Sequence, residues 1–340
     1  MKQFLEKLSL HQPLSTIEIN EAAAAIFAEH TTETEIAAFL MALKSKGETA
    51  TEIAGLVDVL RQQALPIQTQ ARNIMDNCGT GGDGSQSFNI SSTAAFVLAG
   101  AGITVAKHGS RSVSSKTGSA DVLEELGINI YLEPAQIEES LEEIGISFLF
   151  APSIQPNLGR ITRIRKELKI PTVFNLIGPL TNPVNLHSQL IGVYRSDMLE
   201  LFANVLKKLG RKRAVAVTGA GNMDEASLQG DNKMVLLNEG DVTSFTLHPE
   251  EVNLPLYPND KIRGGSAHEN AAIMMRVLKN EKGAYRDTVI LNAGLGVFAN
   301  GKAATILEGI NIARESLESG SALAKLEALI SYCQKKKVVM

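Results

Sequence analysis

The chain has 340 residues and a formal net charge of −4, and aromatic residues make up only 5% of it, with no Trp. Proteins that bind duplex nucleic acid usually carry a basic face, and proteins that bind single strands usually carry aromatic side chains for stacking. The composition therefore argues against a nucleic-acid partner.

The cysteines and the apolar segments bear on the compartment. Cys78 and Cys333 are far apart in sequence and lack metal-ligand spacing, which argues against a disulfide scaffold or a zinc site. Charged residues interrupt the N-terminus, and no apolar run reaches the ~18 residues of a membrane-spanning helix. We therefore expect a cytoplasmic protein with no membrane partner, and the length suggests about two domains.

Residues 1–70 show the signals of helices only. Capping boxes of the Ser/Thr-x-x-Glu type begin at Ser15, Thr32 and Thr49, and each is followed by apolar residues three and four positions apart. The second of these helices is apolar on more than one face, so it is predicted to be buried in its own bundle or against another subunit.

From about residue 71 onward, short strands alternate with helices, which predicts an α/β domain. The predicted strands are 74–77, 103–106, 148–151, 189–194, 214–218, 233–237 and 241–247. The predicted helices are 92–100, 119–126, 134–144, 157–168, 197–209, 269–280, 286–299 and 303–318. A short hairpin at 238–240 joins the last two strands, so the sheet is predicted to be mixed and mostly parallel.

Residues 76–92 contain four glycines within six positions and run into an apolar helix. Glycine allows the backbone to turn with positive φ and to approach a ligand with its N–H groups uncovered. Asn89, Ser91 and Ser92 occupy the predicted first turn of the helix, whose N-terminus favours anions. The segment is predicted to bind phosphate or diphosphate, although its spacing matches neither a P-loop nor a Rossmann motif. The alternative is an ordinary flexible turn.

A basic and hydroxyl-rich segment, residues 107–121, follows the next predicted strand. It contains three Lys or Arg residues and five serines. Basic side chains make charge-assisted bonds to phosphate oxygens, and serine hydroxyls can satisfy the remaining acceptors. Because it follows the glycine segment in the sequence, the basic segment is predicted to form the second half of a diphosphate site. Taken alone, the basic segment could be a solvated loop.

Asp224 and Glu225 follow a predicted strand and a glycine-containing turn. Open α/β sheets bind ligands at the carboxyl ends of their strands, and a diphosphate substrate arrives with Mg²⁺, which prefers oxygen ligands. We therefore predict that both carboxylates bind Mg²⁺. The alternative is an acidic pair that stabilises a helix N-terminus.

Four motifs together resemble the anthranilate phosphoribosyltransferases. They are Asn-Cys-Gly-Thr-Gly-Gly-Asp at 77–83, the Lys-His-Gly to Ser-Ser-Lys segment at 107–116, Phe-Asn-Leu-Ile-Gly-Pro-Leu-Thr-Asn-Pro at 174–183, and Asp-Glu-Ala-Ser at 224–227. The match follows the family's order and spacing over essentially the whole chain.

The resemblance implies the architecture of that family and of the nucleoside phosphorylases. A small all-helical domain, residues 1–70, would mediate a homodimer. A segment near 165–185 would return to that domain. Residues 71–340 would form the α/β catalytic domain that binds phosphoribosyl diphosphate around a central mixed, mostly parallel sheet.

The resemblance also implies a reaction and its residues. The phosphoribosyl group of 5-phosphoribosyl 1-diphosphate would pass to the amine of anthranilate, in tryptophan biosynthesis, with two Mg²⁺ ions of which at least one arrives with the diphosphate. The residues expected to bind the diphosphate substrate are Gly79, Gly82, Asp83, Ser87, Asn89, Ile90, Ser91, Ser92, Lys107, His108, Gly109, Ser110, Arg111, Ser112, Val113, Ser114, Ser115 and Ser119. Anthranilate is expected at Gly79, Ser110 and Arg165, and Mg²⁺ at Ser91, Asp224 and Glu225. Lys107, Asp224 and Glu225 are the expected catalytic residues.

Two positions depart from the family pattern. The family usually has Asn in place of Ser110 and His in place of Gln155, so we expect looser binding of anthranilate. The other basic residues near Arg165, namely Arg160, Arg163 and Lys166, are expected to be merely solvated. A nucleoside phosphorylase, or a phosphoribosyltransferase with a changed acceptor, is the alternative function.

Overall fold

A computed structural model of the chain describes residues 1–111 and 117–338. The helices are α1 (Lys2–Ser9), α2 (Thr16–Phe27), α3 (Glu33–Lys46), α4 (Ala50–Gln63), α5 (Ile90–Gly100), α6 (Ser119–Glu125), α7 (Pro134–Glu143), α8 (Ala151–Ile154), α9 (Gly159–Leu168), α10 (Leu199–Lys208), α11 (Ala267–Leu278), α12 (Ala284–Asn300), α13 (Ile306–Glu318) and α14 (Ser321–Val338). The strands are β1 (Met75–Asp76), β2 (Val105–Gly109), β3 (Ile146–Phe150), β4 (Ser188–Gly192), β5 (Arg213–Thr218), β6 (Asn232–Asn238) and β7 (Asp241–Leu247).

The seven strands form one sheet in the order β3, β2, β1, β4, β5, β6, β7. The first five are parallel to one another, β6 is antiparallel to β5, and β7 is antiparallel to β6. The prediction of a mixed, mostly parallel sheet is therefore confirmed. Because the parallel strands share a direction, the loops that follow β1, β2, β4 and β5 meet at one edge of the sheet.

The N-terminal helices begin where the sequence predicts. All three predicted capping boxes are present, at Ser15, Thr32 and Thr49, and in each the hydroxyl accepts from the backbone N–H three residues later. Since this bond satisfies an N–H with no partner inside the helix, it fixes the first turn. The small N-terminal helical domain is confirmed.

These helices do not pack only on one another. The buried side chains of α1 to α4 form one hydrophobic cluster with α9, α10, the segment 173–180 and one face of β4, β5 and β6. Phe39 of α3, Ile164 of α9 and Ile191 of β4 belong to this cluster. The division at residues 70 and 71, and the returning segment near 165–185, stay predictions.

The other face of the sheet carries a second cluster that includes α5, α12, α13 and α14. Helix α5 is buried along most of its length, and it starts directly after the glycine segment. Its N-terminus therefore points to the edge where the loops meet. None of the helices in the described ranges combines the length and the apolar character that crossing a membrane requires.

Candidate active site

The glycine segment leaves the sheet after β1 and turns back over the ends of β4 and β5. Gly81, Gly82 and Gly84 have φ values of 68°, 81° and 71°, a backbone region that residues other than glycine rarely adopt. The Thr80 N–H donates to the Gly192 carbonyl at 2.9 Å. The Gly81 N–H donates to Asp224 Oδ2 at 2.6 Å. The Gly81 N–H of this loop therefore already holds a carboxylate.

Helix α5 presents its first turn to the same place. Asn89 is the N-cap residue, and the Ser91 N–H donates to Glu225 Oε1 at 3.2 Å. Asn77 Nδ2 donates to the Ser91 carbonyl at 2.8 Å and ties the loop to the helix. Ile90 and Ser92, also predicted site residues, are buried behind this turn. A carboxylate thus occupies the anion-binding end of the helix, as it does in the glycine loop.

Asp224 and Glu225 lie side by side with Asp83 nearby. Asp83 Oδ2 accepts from the Asp224 N–H at 3.3 Å, and Asp83 Oδ1 accepts from the Ser85 N–H at 3.0 Å. Burial, together with the charge of Asp83, raises the pKa of Asp224 to about 7. Burial, together with the charge of Asp224, raises the pKa of Glu225 to about 8.

Repulsion among the three carboxylates adds to the effect of burial on these pKa values, and such an arrangement favours a cation. Oxygen donors of this kind suit Mg²⁺, which keeps water or substrate oxygens in the rest of its coordination shell. Within the described ranges no three Asp, Glu, His or Cys side chains form a ready metal cluster. Asp224 and Glu225 can supply carboxylate oxygens to such an ion.

Lys107 and His108 end strand β2 next to the carboxylates. Lys107 is buried, its Nζ donates to the His108 carbonyl at 3.1 Å, and its charge acts on both Asp76 and Glu225. Burial and the neighbouring Lys107 lower the pKa of His108 to about 4, so its ring is neutral at pH 7. His108 Nε2 has no hydrogen-bond partner in the described part of the chain. Lys107 is thus the cation that faces the site from β2.

The basic segment continues from β2 to α6. A Cβ atom on Gly109 would lie 2.4 Å from Ser119 Oγ, so a side chain there would displace the first residue of α6. The Ser110 carbonyl accepts from Ser119 Oγ and from the Ala120 N–H, both at 3.3 Å. The other predicted residues of this segment, Ser112, Val113, Ser114 and Ser115, lie outside the described residues.

Arg111 is engaged with helix α6. Its guanidinium forms ion pairs with Asp121 at 2.8 Å and Glu124 at 2.6 Å, and it donates to the Tyr131 hydroxyl at 3.2 Å. It also lies over the ring of Phe150. In this structure Arg111 therefore anchors its loop to α6.

Two further predicted residues lie on the outer part of the glycine segment. Gly82 is exposed, and a Cβ atom on it would lie 3.8 Å from Tyr194 Cε1. Ser87 receives a hydrogen bond from Ser85 Oγ at 3.2 Å and forms an isolated antiparallel bridge with Arg263. The return of the segment is thus fixed by a strand-like contact to residues near 263.

The predicted anthranilate residues lie on separate elements. Arg165 on α9 is partly buried over the ring of Phe174, and its guanidinium donates to Asn175 Oδ1 at 3.3 Å. Burial lowers the pKa of Arg165. Within the described residues no hydrogen bond joins Arg165 to Gly79 or Ser110. A Cβ atom on Gly79 would lie 2.6 Å from Asp224 Oδ2, whereas the contacts of Arg165 are with Phe174 and Asn175.

The expectation that Arg160 is merely solvated is wrong. Arg160 is partly buried and donates to the carbonyls of Ala28, at 3.3 Å, and Thr31. Arg163 forms an exposed ion pair with Glu33. Both residues face the N-terminal helices because α9 packs against α3, which the spacing of charges along α9 alone does not reveal.

Sequence reasoning did not single out two glycines against which the backbone of Asp224 and Glu225 packs. A Cβ atom on Gly192 would lie 1.5 Å from the Asp224 carbonyl oxygen, and one on Gly219 would lie 2.0 Å from that of Glu225. Neither glycine has a positive φ, so close approach of the backbone is the constraint. The available signal was a glycine at the carboxyl end of β4 and another directly after β5.

Two family models match the chain. The glycosyl transferase family helical bundle domain matches residues 2–64, and the glycosyl transferase family α/β domain matches residues 71–323. The α/β match includes every predicted site residue, since all of them lie between Gly79 and Glu225.

Individual proteins match over nearly the full length. The anthranilate phosphoribosyltransferase of Bacillus mycoides strain KBAB4 is 56% identical over 336 residues, which cover 99% of this chain and 98% of the relative. The crystal structure of anthranilate phosphoribosyltransferase from Thermus thermophilus superposes with a TM-score of 0.92 at 39% identity, covering 97% of this chain and 99% of that one. The enzyme from Saccharomyces cerevisiae in complex with PRPP and Mg has a TM-score of 0.89 at 27% identity, covering 98% and 97%.

Proposed function

This chain belongs to the anthranilate phosphoribosyltransferase family, and we propose that it transfers the phosphoribosyl group of 5-phosphoribosyl 1-diphosphate to the amine of anthranilate. The products are N-(5-phosphoribosyl)anthranilate and diphosphate, and the reaction belongs to tryptophan biosynthesis. One observation carries the proposal. Two backbone N–H groups, that of Gly81 in the glycine loop and that of Ser91 at the start of α5, converge on the Asp224–Glu225 pair beside Lys107.

Asp224, Glu225 and the Ser91 hydroxyl would hold Mg²⁺. The chemistry of the donor atoms supports this proposal. Two carboxylates and a hydroxyl offer only oxygen ligands, which Mg²⁺ prefers, and a cation would offset the repulsion between the carboxylates. When bound, Mg²⁺ would supply positive charge that stabilises the diphosphate leaving group. We propose two ions, of which at least one arrives with the diphosphate substrate.

The remaining catalytic contribution comes from Lys107 and the loop. As the bond between the ribose and the diphosphate breaks, negative charge grows on the diphosphate. The Lys107 ammonium stabilises it, together with the loop N–H groups other than that of Gly81, which holds Asp224. No protein nucleophile is required. The arylamine nitrogen is neutral at pH 7 and has its lone pair available, so orienting it against the ribose carbon is the main remaining task.

The diphosphate substrate is proposed to lie between the glycine segment and the basic segment. Asp83 suits ribose hydroxyls or metal-bound waters better than phosphate oxygens, because a carboxylate and a phosphate repel each other. The other proposed contacts are Gly79, Gly82, Ser87, Asn89, Ile90, Ser91, Ser92, Lys107, His108, Gly109, Ser110, Arg111, Ser112, Val113, Ser114, Ser115 and Ser119. For Arg111 the proposal requires that the guanidinium exchange at least part of its contact with α6 for the substrate.

Anthranilate is proposed to bind with its carboxylate at Arg165, near Gly79 and Ser110. The Arg165 guanidinium is partly buried, and within the described residues it forms no ion pair, so its charge is available. Gln155, where the family usually has His, donates through Nε2 to the Thr181 carbonyl at 2.9 Å and is buried. Its amide is thus committed to the protein, which supports looser binding of the acceptor.

A homodimer through the helical domain is part of the proposal, as is a cytoplasmic location. Leu10 and Ile17, in the N-terminal helical region, are 69% and 72% exposed. Large exposed apolar side chains support a protein interface there, although single ones also occur on monomers. Sedimentation equilibrium measures the oligomeric state directly.

The proposed activity is tested by mixing the protein with Mg²⁺, anthranilate and 5-phosphoribosyl 1-diphosphate and following anthranilate fluorescence. Fluorescence should fall with the wild-type chain. Glu225→Gln, which removes charge at nearly constant shape, should slow turnover on the order of a hundredfold or more. Undiminished turnover in Glu225→Gln at limiting Mg²⁺ would show that the pair only stabilises the N-terminus of α5.

A further inference from the structure

A buried polar pair lies beneath the proposed diphosphate site, where β1 ends. Asp76 and Asn182 are both fully buried. Asp76 is the last residue of β1, whereas Asn182 follows the 3₁₀ turn Gly178–Leu180 on a distant segment. Asn182 Nδ2 donates to Asp76 Oδ2 at 3.0 Å, so the two side chains form one unit.

The neighbouring strand β2 continues past the end of β1. Met75 pairs with Val105, and its N–H donates to the Thr104 carbonyl at 2.9 Å. By this parallel register, residue 77 would face Lys107 if β1 continued. Its backbone would then donate to the Ala106 carbonyl and accept from the residue 108 N–H. Residue 77 instead turns into the glycine segment, which leaves both groups of β2 without a strand partner.

Asp76 and Asn182 replace both of the missing bonds. Asp76 Oδ1 accepts from the His108 N–H at 3.2 Å, and Asn182 Nδ2 donates to the Ala106 carbonyl at 2.8 Å. Asp76 Oδ1 also accepts from the Asn77 N–H at 2.8 Å, where the glycine segment begins. The two side chains therefore make the hydrogen bonds that the backbone of residue 77 would make opposite Lys107. Strand β2 can stay extended although the chain after β1 turns away from the sheet.

Electrostatics alone do not explain a carboxylate at this position. Asp76 acts on Lys107 through their opposite charges, so its negative charge weakens the positive potential that an incoming anion meets. Burial also raises the pKa of Asp76, which reflects the cost of keeping it ionised. The carboxylate therefore favours anion binding only through the groups that it holds in place.

We propose that Asp76 and Asn182 are positioning residues for the transfer reaction. They fix the peptides on both sides of Lys107 together with the first peptide of the glycine segment, and they thereby direct Lys107 Nζ to the diphosphate. This inference rests on the proposed function, in which Lys107 faces the leaving group.

A double-mutant cycle on binding of the diphosphate substrate tests the inference. Calorimetric titration with 5-phosphoribosyl 1-diphosphate and Mg²⁺, without anthranilate, gives the Kd of the wild type, Asp76→Asn, Lys107→Ala and the double variant. Asp76→Asn keeps the shape but turns an NH₂ group toward Asn182 Nδ2, so it should weaken binding about tenfold although it removes a negative charge. The double variant should bind no more weakly than Lys107→Ala, because residues that act through one another are not additive.

A matched control separates positioning from stability. Glu52 is an equally buried carboxylate that accepts from the Leu14 N–H at 2.9 Å and from Lys46 Nζ at 2.7 Å, in the helical region. Glu52→Gln should lower the Tm and leave the Kd unchanged. If Asp76→Asn does not fold, Asn182→Leu, which removes the other half of the pair at similar volume, takes its place in the cycle.

Three outcomes would overturn the inference. Unchanged or tighter binding by Asp76→Asn would show that the carboxylate does not position Lys107 for the diphosphate. Full additivity with Lys107→Ala would show that it acts elsewhere, and in both cases the proposed role of Lys107 survives. Normal affinity of Lys107→Ala itself would remove the role of Lys107 at the diphosphate and the inference with it.

Discussion

At the scale of single residues, the Asp224 carboxylate is both bound and repelled by its surroundings. It accepts from the Gly81 N–H at 2.6 Å, yet its pKa is raised to about 7 by burial and by Asp83. A carboxyl group with a higher pKa in the folded than in the unfolded chain stabilises the fold below its unfolded pKa, near 4. That contribution is lost as the pH rises through about 7.

Asp224→Asn should therefore stabilise the metal-free protein at alkaline pH. We expect the free energy of unfolding to rise by about 1 to 3 kcal/mol at pH 8 and to change little at pH 4. Urea unfolding in a chelator at both pH values measures this, with Asp260→Asn at an exposed position as the control. A loss of stability at pH 8, or an equal gain at both pH values, would show that the pKa of Asp224 is not raised in the folded protein.

The acceptor is tested at Arg165. Arg165→Ala should raise the anthranilate KM by about tenfold or more, since a charge-assisted bond contributes roughly 1.5 to 3 kcal/mol, and should leave the KM of the diphosphate substrate nearly unchanged. Arg163→Ala, on the same helix but paired with Glu33, is the control for a general loss of positive charge. Equal damage to both KM values would place Arg165 in the diphosphate site or at a hinge.

The sequence predicted which residue types form the candidate site, but it did not predict which residues contact one another there. The carboxylate pair and the glycine segment could be located because their chemistry is local in sequence. The contacts of Arg160 with Ala28 and Thr31, like those of Asn182 with Asp76, join segments more than a hundred residues apart. Such pairings depend on the order of the strands and helices, which local patterns do not determine.

At the scale of elements, the glycine segment and the turn that carries Asp224 hold each other in place. The Thr80 N–H bonds to the Gly192 carbonyl, and the Asp224 backbone passes directly over Gly192. No side chain fits between them. The two loops therefore form one rigid support for the carboxylates.

Gly192→Ala tests this close approach. The added Cβ atom would lie 1.5 Å from the Asp224 carbonyl oxygen, so the turn has to move and turnover should fall on the order of a hundredfold. Gly159→Ala, at the start of α9 with open space around it, should leave turnover unchanged. Steady-state kinetics measure the turnover of both variants, and circular dichroism confirms that they fold. Wild-type turnover in Gly192→Ala would show that the close approach of the Asp224 backbone to Gly192 is not required for activity.

The elements themselves were largely predictable. Each of the seven predicted strands overlaps an observed strand, but β1 spans only Met75–Asp76 because side chains replace the backbone at its end. Helix α14 was missed. Its buried face, with Ala322, Leu326 and Leu329, has helical spacing, so the signal was present in the sequence.

At the scale of the whole molecule, the sheet lies between two apolar clusters. One contains the N-terminal helices, α9 and α10, and the other contains α5 and the C-terminal helices. The strand order places β1 between β2 and β4, so Lys107 and the carboxylates meet although they are more than a hundred residues apart. The alternation of strands and helices predicted the fold class, whereas this adjacency required the three-dimensional structure.

Transfer of the phosphoribosyl group to anthranilate is measured most directly by the amount of diphosphate released for each anthranilate consumed. With Mg²⁺ and both substrates, we expect one diphosphate per anthranilate and negligible release when anthranilate is omitted. Diphosphate release that does not depend on anthranilate, or no release with both substrates present, would show that the chain does not catalyse this transfer.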